Sequence, residues 1–264
     1  MFSWNEEVKP YEELLLRVRA KLEKANRSFQ KQLGYSPIDS IHMRIKSEIS
    51  AKKKLDEKKL AFSKENLCAV KDLAGIRIIC KFLDDIPEIV SLIRSWDKLK
   101  VVNNKDSFSY EQIKITDEKD YVANSKDSGY RSYHIICEEK GLLFEIQIRT
   151  MAMDFWAASE HMLRYKYGGK IPDDVREKLK SISEIATTLD MSMNDIRQDV
   201  SIGTAKSRIL EQLYKAVHIL EGIGMGYKAE HYRGQLEKSQ DDLEALRSLA
   251  IRAKEEVPKQ YWEE

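Results

Sequence analysis

Between residues 129 and 149 the chain concentrates the side-chain types that a nucleotide-phosphate site needs. Gly129-Tyr130-Arg131-Ser132-Tyr133-His134 is followed, one short turn later, by Glu145-Ile146-Gln147-Ile148-Arg149-Thr150. A flat aromatic ring, cations, an imidazole and a carboxylate on two paired strands can stack a base, neutralise phosphate and carry a proton. Glu145 stands between Phe144 and Ile146 in an alternating run, so it shares one strand face with Gln147 and Arg149. The competing reading is a wet sheet face, which has the same alternation.

A second charged stretch lies upstream. Between residues 44 and 64 eight Lys or Arg (44, 46, 52, 53, 54, 58, 59 and 64) stand against three acids (48, 56 and 57), although the whole chain carries a net charge of only +1. A solvated helix face is the ordinary fate of such a run. Lys46, Ser50 and Lys54, however, fall at i, i+4 and i+8, and two cations with a hydroxyl on one helix face can grip a polyphosphate. Next, Asp72-Leu-Ala-Gly-Ile-Arg77 places an acid and a glycine at the entry to a β-branched run. Asp72 reads equally as a cap or as a metal ligand.

The elements that must hold these groups follow from periodicity. Residues 6 to 33 repeat at helical spacing and stop at Gly34; Ser36-Pro37 breaks the chain, and a second helix is predicted from about Asp39, running on into the basic stretch. A buried strand after Asp72, a helix over 84 to 99 and a strand near 99 to 102 begin an α/β pattern. Residues 103 to 128 are polar, with a short strand predicted at 110 to 116. Strands at 132 to 137 and 142 to 149 form a hairpin in which Gly141 supplies a positive φ. Thr150 can cap a helix ending at Gly168-Gly169, and Pro172 opens a long helix to about Val200. Two further helices, 204 to 221 and about 227 to 255, are joined by Gly222-Ile-Gly-Met-Gly226. The prediction is an α/β (α+β) fold, a mixed sheet flanked by helices, with a main domain over 1–202 and a helical C-terminal extension over 203–264.

Composition excludes several classes. With 42% hydrophobic and 34% charged residues the chain is an ordinary globular protein with a heavily charged surface, and its balanced charge argues against a general nucleic-acid coat. No run approaches the roughly 20 apolar residues of a membrane span, and the acidic, amphipathic start is unlike a signal peptide, so the chain reads as cytoplasmic with no membrane partner. Cys68, Cys80 and Cys137 show no CxxC spacing and read as structural thiols, not as disulfides or zinc ligands.

Taken in order, Arg44-Ile-Lys46-Ser, Asp72-Leu-Ala-Gly-Ile-Arg77, Lys119-Asp-Tyr-Val, Ser125-Lys126-Asp-Ser-Gly-Tyr130-Arg-Ser-Tyr-His134, Glu145-Ile-Gln-Ile-Arg149-Thr and Met153-Asp-Phe-Trp-Ala-Ala-Ser-Glu160-His161 resemble the synthetase domain of RelA/SpoT-type enzymes. The resemblance is narrower still to the stand-alone small alarmone synthetases of bacteria, and runs from about residue 35 to 200. It implies a nucleotidyltransferase-like domain with about five strands. It also implies transfer of the β,γ-pyrophosphate of ATP to the 3′-hydroxyl of GDP or GTP, releasing AMP and making the stringent-response alarmone ppGpp or pppGpp. Such chemistry needs Mg²⁺ on hard carboxylates and cations on the phosphate chain.

By this resemblance Asp72 binds Mg²⁺, and Glu145 completes that site or accepts the hydroxyl proton. Arg44 and Arg77 sandwich adenine; Lys46, Ser50 and Lys54 contact the ATP phosphates; Tyr130 stacks on guanine; Lys119, Lys126 and His134 hold the acceptor phosphates. Arg149, Glu160 and His161 are assigned to bracing. Where one activated branch has an Asn before Phe-Trp-Ala, this chain has Asp154, whose added carboxylate is expected to repel a phosphate-rich effector. A homo-oligomer, by resemblance a tetramer, is implied. Rival readings change the acceptor to an adenosine nucleotide or a tRNA 3′ end, or make the chain a non-catalytic RNA or nucleotide sensor; RNA is not an expected partner.

Overall fold

The computed structural model describes residues 3–98, 113–169, 171–239 and 241–261. The elements run α1 (Trp4–Leu33), β1 (Ile38–Ile45), α2 (Glu48–Glu57), α3 (Lys64–Leu67), β2 (Ala74–Cys80), α4 (Asp85–Lys98), β3 (Lys114–Asp120), β4 (Tyr133–Glu139), β5 (Leu142–Thr150), α5 (Met151–Lys166), α6 (Asp173–Gly222), α7 (Gly226–Lys238) and α8 (Leu243–Glu256), with a final 3₁₀ turn at Lys259–Tyr261. The chain divides into two compact units, Met1–Asn194 and Asp195–Glu264.

In the first unit five strands form one mixed sheet in the order β1-β2-β5-β4-β3. Only β2 and β5 pair in parallel; the other neighbours are antiparallel. One face is apolar: Ala74, Ile76, Ile78 and Cys80 of β2 and Phe144, Ile146 and Ile148 of β5 are buried beside Leu14, Leu15, Val18 and Leu22 of α1. Ile86, Ile89 and Ile93 of α4 complete this core. The strict alternation of β2 and β5 is what delivers Arg77, Glu145, Gln147 and Arg149 to the opposite face.

The expected helix from Asp39 is instead β1. Its register slips between Ile38 and Ser40, a bulge that spaces Ile38 and Ile41 three apart before Met43 and Ile45 resume alternation. A bulged strand thus imitates helical spacing over its first turn. The hairpin between β4 and β5 forms as predicted, with Lys140 (φ 53) and Gly141 (φ 80) as its two-residue turn. Thr150 caps α5 by accepting from the Met153 amide.

The short strand expected at 110 to 116 begins at Lys114 and runs to Asp120, while the strand expected near 99 to 102 lies outside the described residues. No break occurs at Gly203, since α6 is continuous from Asp173 to Gly222 and the division between the units falls within it. One helical glycine costs about 1 kcal/mol, too little to end so long a helix. The single helix expected over 227 to 255 is two, α7 and α8, the second capped by Asp242. In the second unit Leu213, Val217 and Leu220 of α6 pack with Tyr232 and Leu236 of α7 and Leu246 and Leu249 of α8 in a core of their own. Cys80 and Cys137 are buried and Cys68 is exposed, all three as free thiols.

Candidate active site

Register aligns the polar face of the sheet into two adjacent rows. His42, Arg77, Gln147, His134 and Lys119 face one another across all five strands; the next row holds Arg44, Gly75, Glu145, Ile136 and Asp117. Gly75 therefore lies between Arg44 and Glu145, where the missing side chain leaves a hollow; a Cβ there would come no closer than 3.7 Å to any heavy atom.

Two cavities open on this face. The first, of about 490 Å³, is lined by Lys54, Lys58, Lys71, Lys119, Tyr121, Lys126, Tyr130 and His134 with Asp117 and Glu118. The second, of about 410 Å³, is lined by His42, Met43, Arg44, Gly75, Ile76 and Arg77. Asp72, Glu145 and Gln147 line both, and so form a shared wall.

On the first-cavity side one buried cation organises the polar groups. Arg149 is 4% exposed, and its Nη2 donates to the Tyr130 hydroxyl at 2.7 Å and to Gln147 Oε1 at 2.6 Å. Tyr130 Oη lies 2.8 Å from His134 Nε2, and His134 Nδ1 lies 2.8 Å from Glu145 Oε1. Gln147 Nε2 donates to the other Glu145 oxygen at 2.7 Å. Because the ionised Glu145 can only accept, His134 Nδ1 carries the hydrogen; in the neutral ring Nε2 then accepts from the Tyr130 hydroxyl, whose oxygen accepts from Arg149. Burial raises the Glu145 carboxyl, but the hydrogen bonds from His134 and Gln147 outweigh it and hold the group below its ordinary value. Burial pushes the Tyr130 phenol up, against the pull of Arg149.

Tyr130 reaches this position because its loop is pinned. Gly129 has φ +90 and approaches α6 so closely that a Cβ would sit 2.8 Å from Ser183 Cβ, while the buried Ser183 hydroxyl donates to the Gly129 carbonyl. Lys126 Nζ lies 4.6 Å from the Tyr121 ring centre and 4.9 Å from that of Tyr130, a cation held over two aromatic faces.

At the shared wall Lys46 Nζ donates to Asp72 Oδ2 at 2.8 Å and Lys54 Nζ to Oδ1 at 2.7 Å. Burial raises the Asp72 carboxyl, and the two lysines more than reverse this, so it too lies below its ordinary value. Among the described residues no three His, Cys, Asp or Glu cluster as a metal cage. Two hard carboxylates on one wall nevertheless fit Mg²⁺, which is commonly held by one or two carboxylates and completes its shell with water and substrate phosphate.

Of the residues singled out by sequence, Asp72, Arg44, Arg77, Lys54, Lys119, Lys126, Tyr130, His134 and Glu145 line one cavity or both, and Lys46 reaches them through Asp72. Ser50 does not line either. Lys46 precedes α2 and does not lie in it, so the three-residue helix face does not exist; Ser50 instead pairs with the capping hydroxyl of Ser47 in the first turn. Glu160 and His161 are not a buried brace: Glu160 pairs with Arg164 and His161 is exposed. Nor is Asp154 a free carboxylate, because its Oδ1 lies 3.2 Å from both Arg77 Nη1 and Arg149 Nη1. Sequence reasoning gave no role to Tyr121 or Lys71, and none to Gln147 beyond its strand face. Tyr121 stood inside a quoted motif, and the register of β5 was the signal for Gln147.

Comparison with known proteins identifies the family. Residues 43–170 match the region found in RelA/SpoT proteins. The chain is 34% identical over 206 residues to the GTP pyrophosphokinase YjbM of Bacillus subtilis, covering 75% of this chain and 90% of that one. It is also 34% identical over 209 residues to the GTP pyrophosphokinase YwaC of the same organism, covering 76% and 93%. The crystal structure of the Bacillus subtilis small alarmone synthetase 1 bound to its product pppGpp superposes with a TM-score of 0.63 at 35% identity, covering 75% of this chain and 97% of that one.

Proposed function

We infer the activity from membership: the chain belongs to the RelA/SpoT family, with the small alarmone synthetases. It transfers the β,γ-pyrophosphate of ATP to the 3′-hydroxyl of GDP or GTP, making ppGpp or pppGpp and AMP. The single observation that carries this reading is the wall of Asp72, Glu145 and Gln147 common to two neighbouring cavities, as transfer between two bound nucleotides requires.

In the proposed arrangement ATP takes the second cavity. Its adenine lies between Arg44 and Arg77, whose planar guanidinium groups suit stacking, and its phosphates meet Lys46 and Lys54. The guanosine nucleotide takes the first, with its base on Tyr130 and its phosphates on Lys119 and Lys126; His134, a phosphate ligand by resemblance, would reach one only by giving up its bond to Tyr130 or to Glu145. The acceptor oxygen forms a bond to the β-phosphorus as the bond from that phosphorus to the α,β-bridging oxygen breaks, AMP leaving with the electron pair. Glu145, ionised and oriented by His134 and Gln147, takes the hydroxyl proton. Asp72 and Glu145 would hold Mg²⁺, which supplies charge neutralisation on the phosphate chain when bound.

Ser50, which lines neither cavity and pairs with Ser47, is given no phosphate contact in this arrangement. We assign the synthetase domain to 1–202 and the helical extension to 203–264. No helix among the described residues is long and apolar enough to cross a membrane; a cytoplasmic homo-oligomer is part of the same proposal, supported by exposed Phe155 and Met162 on α5.

The test is product identification by mass after incubation with ATP, Mg²⁺ and, separately, GDP, GTP, an adenosine nucleotide and deacylated tRNA. AMP together with a 3′-pyrophosphorylated guanosine nucleotide is expected, and Glu145→Gln should lower its rate by about a thousandfold. Pyrophosphorylation confined to tRNA or to the adenosine acceptor would overturn the assignment.

A further inference from the structure

Asp154 is the one carboxylate among the described residues that pairs with both Arg77 and Arg149. The two guanidinium groups serve different cavities. Arg77 lines the second; Arg149 lines neither but orients Tyr130 and Gln147, and through them His134 and Glu145. They are also close enough to repel, and the charge of Arg77 adds to burial in making protonation of Arg149 harder, while Asp154 opposes it. An acid in the first turn of α5 could simply be answering the helix dipole. That explanation does not account for a single oxygen, half-buried, set 3.2 Å from one nitrogen of each arginine. Arg77 Nε is buried with no hydrogen-bond partner, and the ion pair recorded for this guanidinium among the described residues is the Nη1 contact to Asp154.

We infer that Asp154 is a positioning residue for both cavities: one carboxylate oxygen sets the plane of Arg77 on the donor side and the seat of Arg149 on the acceptor side. This rests on the two-nucleotide reading above. It differs from that reading in touching no substrate, and in predicting that one neutralising substitution on α5 reaches both nucleotides at once. Losing the charge frees Arg77 to rotate, while Arg149 keeps its bonds to Tyr130 and Gln147 but loses its counter-charge.

The experiment measures KM for ATP and for GDP, with kcat, in the native chain, Asp154→Asn, Arg77→Gln and the double variant, alongside melting curves. Asp154→Asn should raise both KM values roughly tenfold, the low end of what removing a supporting partner costs. In the Arg77→Gln background it should add less than twofold to KM for ATP and keep its full effect on KM for GDP, because only the first route runs through Arg77. Asp154→Glu, which keeps the charge, should restore most of both. A purely structural role predicts a lower melting temperature and kcat with KM values unmoved, or additive effects on KM for ATP; either would overturn the inference. If Asp154→Asn does not fold, Asp154→Ser against Asp154→Glu reads the same contrast of charge lost and charge kept. A native chain that makes no pyrophosphorylated guanosine nucleotide refutes the proposed function instead. Active native enzyme with an indifferent Asp154 refutes only this inference.

Discussion

Replacing Tyr130 by Phe removes one oxygen and keeps the ring, and so separates the two jobs assigned to this residue. The oxygen accepts from Arg149 at 2.7 Å and meets His134 Nε2 at 2.8 Å. Arg149 Nη2 keeps Gln147 Oε1 after the change, so its loss is partial. His134 Nε2 loses its hydrogen-bond partner in a side chain only 14% exposed. A hydrogen bond to a charged group contributes about 1.5–3 kcal/mol and an orphaned buried polar atom costs about 1–3, so with Arg149 partly compensated the expected destabilisation is about 2 kcal/mol. For a unit of this size, 1 kcal/mol corresponds to roughly 2–4 °C, which puts the fall in melting temperature at about 4–8 °C by calorimetry. KM for GDP should stay within about threefold, because the stacking surface remains, whereas Tyr130→Ala should raise it by roughly tenfold or more with a much smaller effect on KM for ATP. A Tyr130→Phe protein that melts within 1 °C of the native chain would refute the hydrogen-bonded arrangement. Equal effects of Tyr130→Ala on both KM values would refute guanine stacking.

Further outcomes follow from the same geometry. Asp72 and Glu145 are held below their ordinary values of 3.8 and 4.5, so their contribution to stability is complete above those values and is lost as pH falls through the lowered ones. Denaturant titrations should accordingly show a loss of stability below about pH 4 that is smaller in Asp72→Asn; an unchanged acid limb would argue against the Lys46 and Lys54 pairing. Gly129→Ala forces a Cβ within 2.8 Å of Ser183 Cβ at φ +90 and should cost about 1–3 kcal/mol while raising KM for the acceptor. A stable variant with native KM would show that the loop before Tyr130 is not pinned.

The hairpin, its turn and the α5 cap were legible in the sequence because each rests on local chemistry: alternation in β5, positive φ at Gly141 and a hydroxyl at Thr150. β1 was not, since its bulge at Ile38 and Ser40 breaks the period of two where the strand begins. The same error misplaced Ser50, because a helix running through residue 46 would have set Lys46, Ser50 and Lys54 on one side. Lys46 and Lys54 converge all the same, by tertiary contact with Asp72, which spacing cannot reveal. Asp154 was read as an unanswered charge for a similar reason: its partners Arg77 and Arg149 stand on β2 and β5, and their approach depends on a parallel pairing between strands remote in sequence. Register across five strands, and with it the single row from Arg77 to Lys119, is a property of the sheet and not of any one segment.

The hydrogen bonds around Arg149 form a fork with a direction. Both hydrogens of one guanidinium nitrogen leave along separate arms, one through Tyr130 and His134 and the other through Gln147, and both arms end on the two oxygens of Glu145. Arg149 is a source that keeps its protons, and Glu145 accepts the end of each arm, one donor on each oxygen, with a further lone pair left on both. A proton arriving on a free lone pair of that carboxylate cannot be handed back along either arm, because every link in both already donates toward Glu145. Glu145 is thereby built to touch a proton and release it outward to solvent or product, and to return to its anionic form before the next nucleotide arrives.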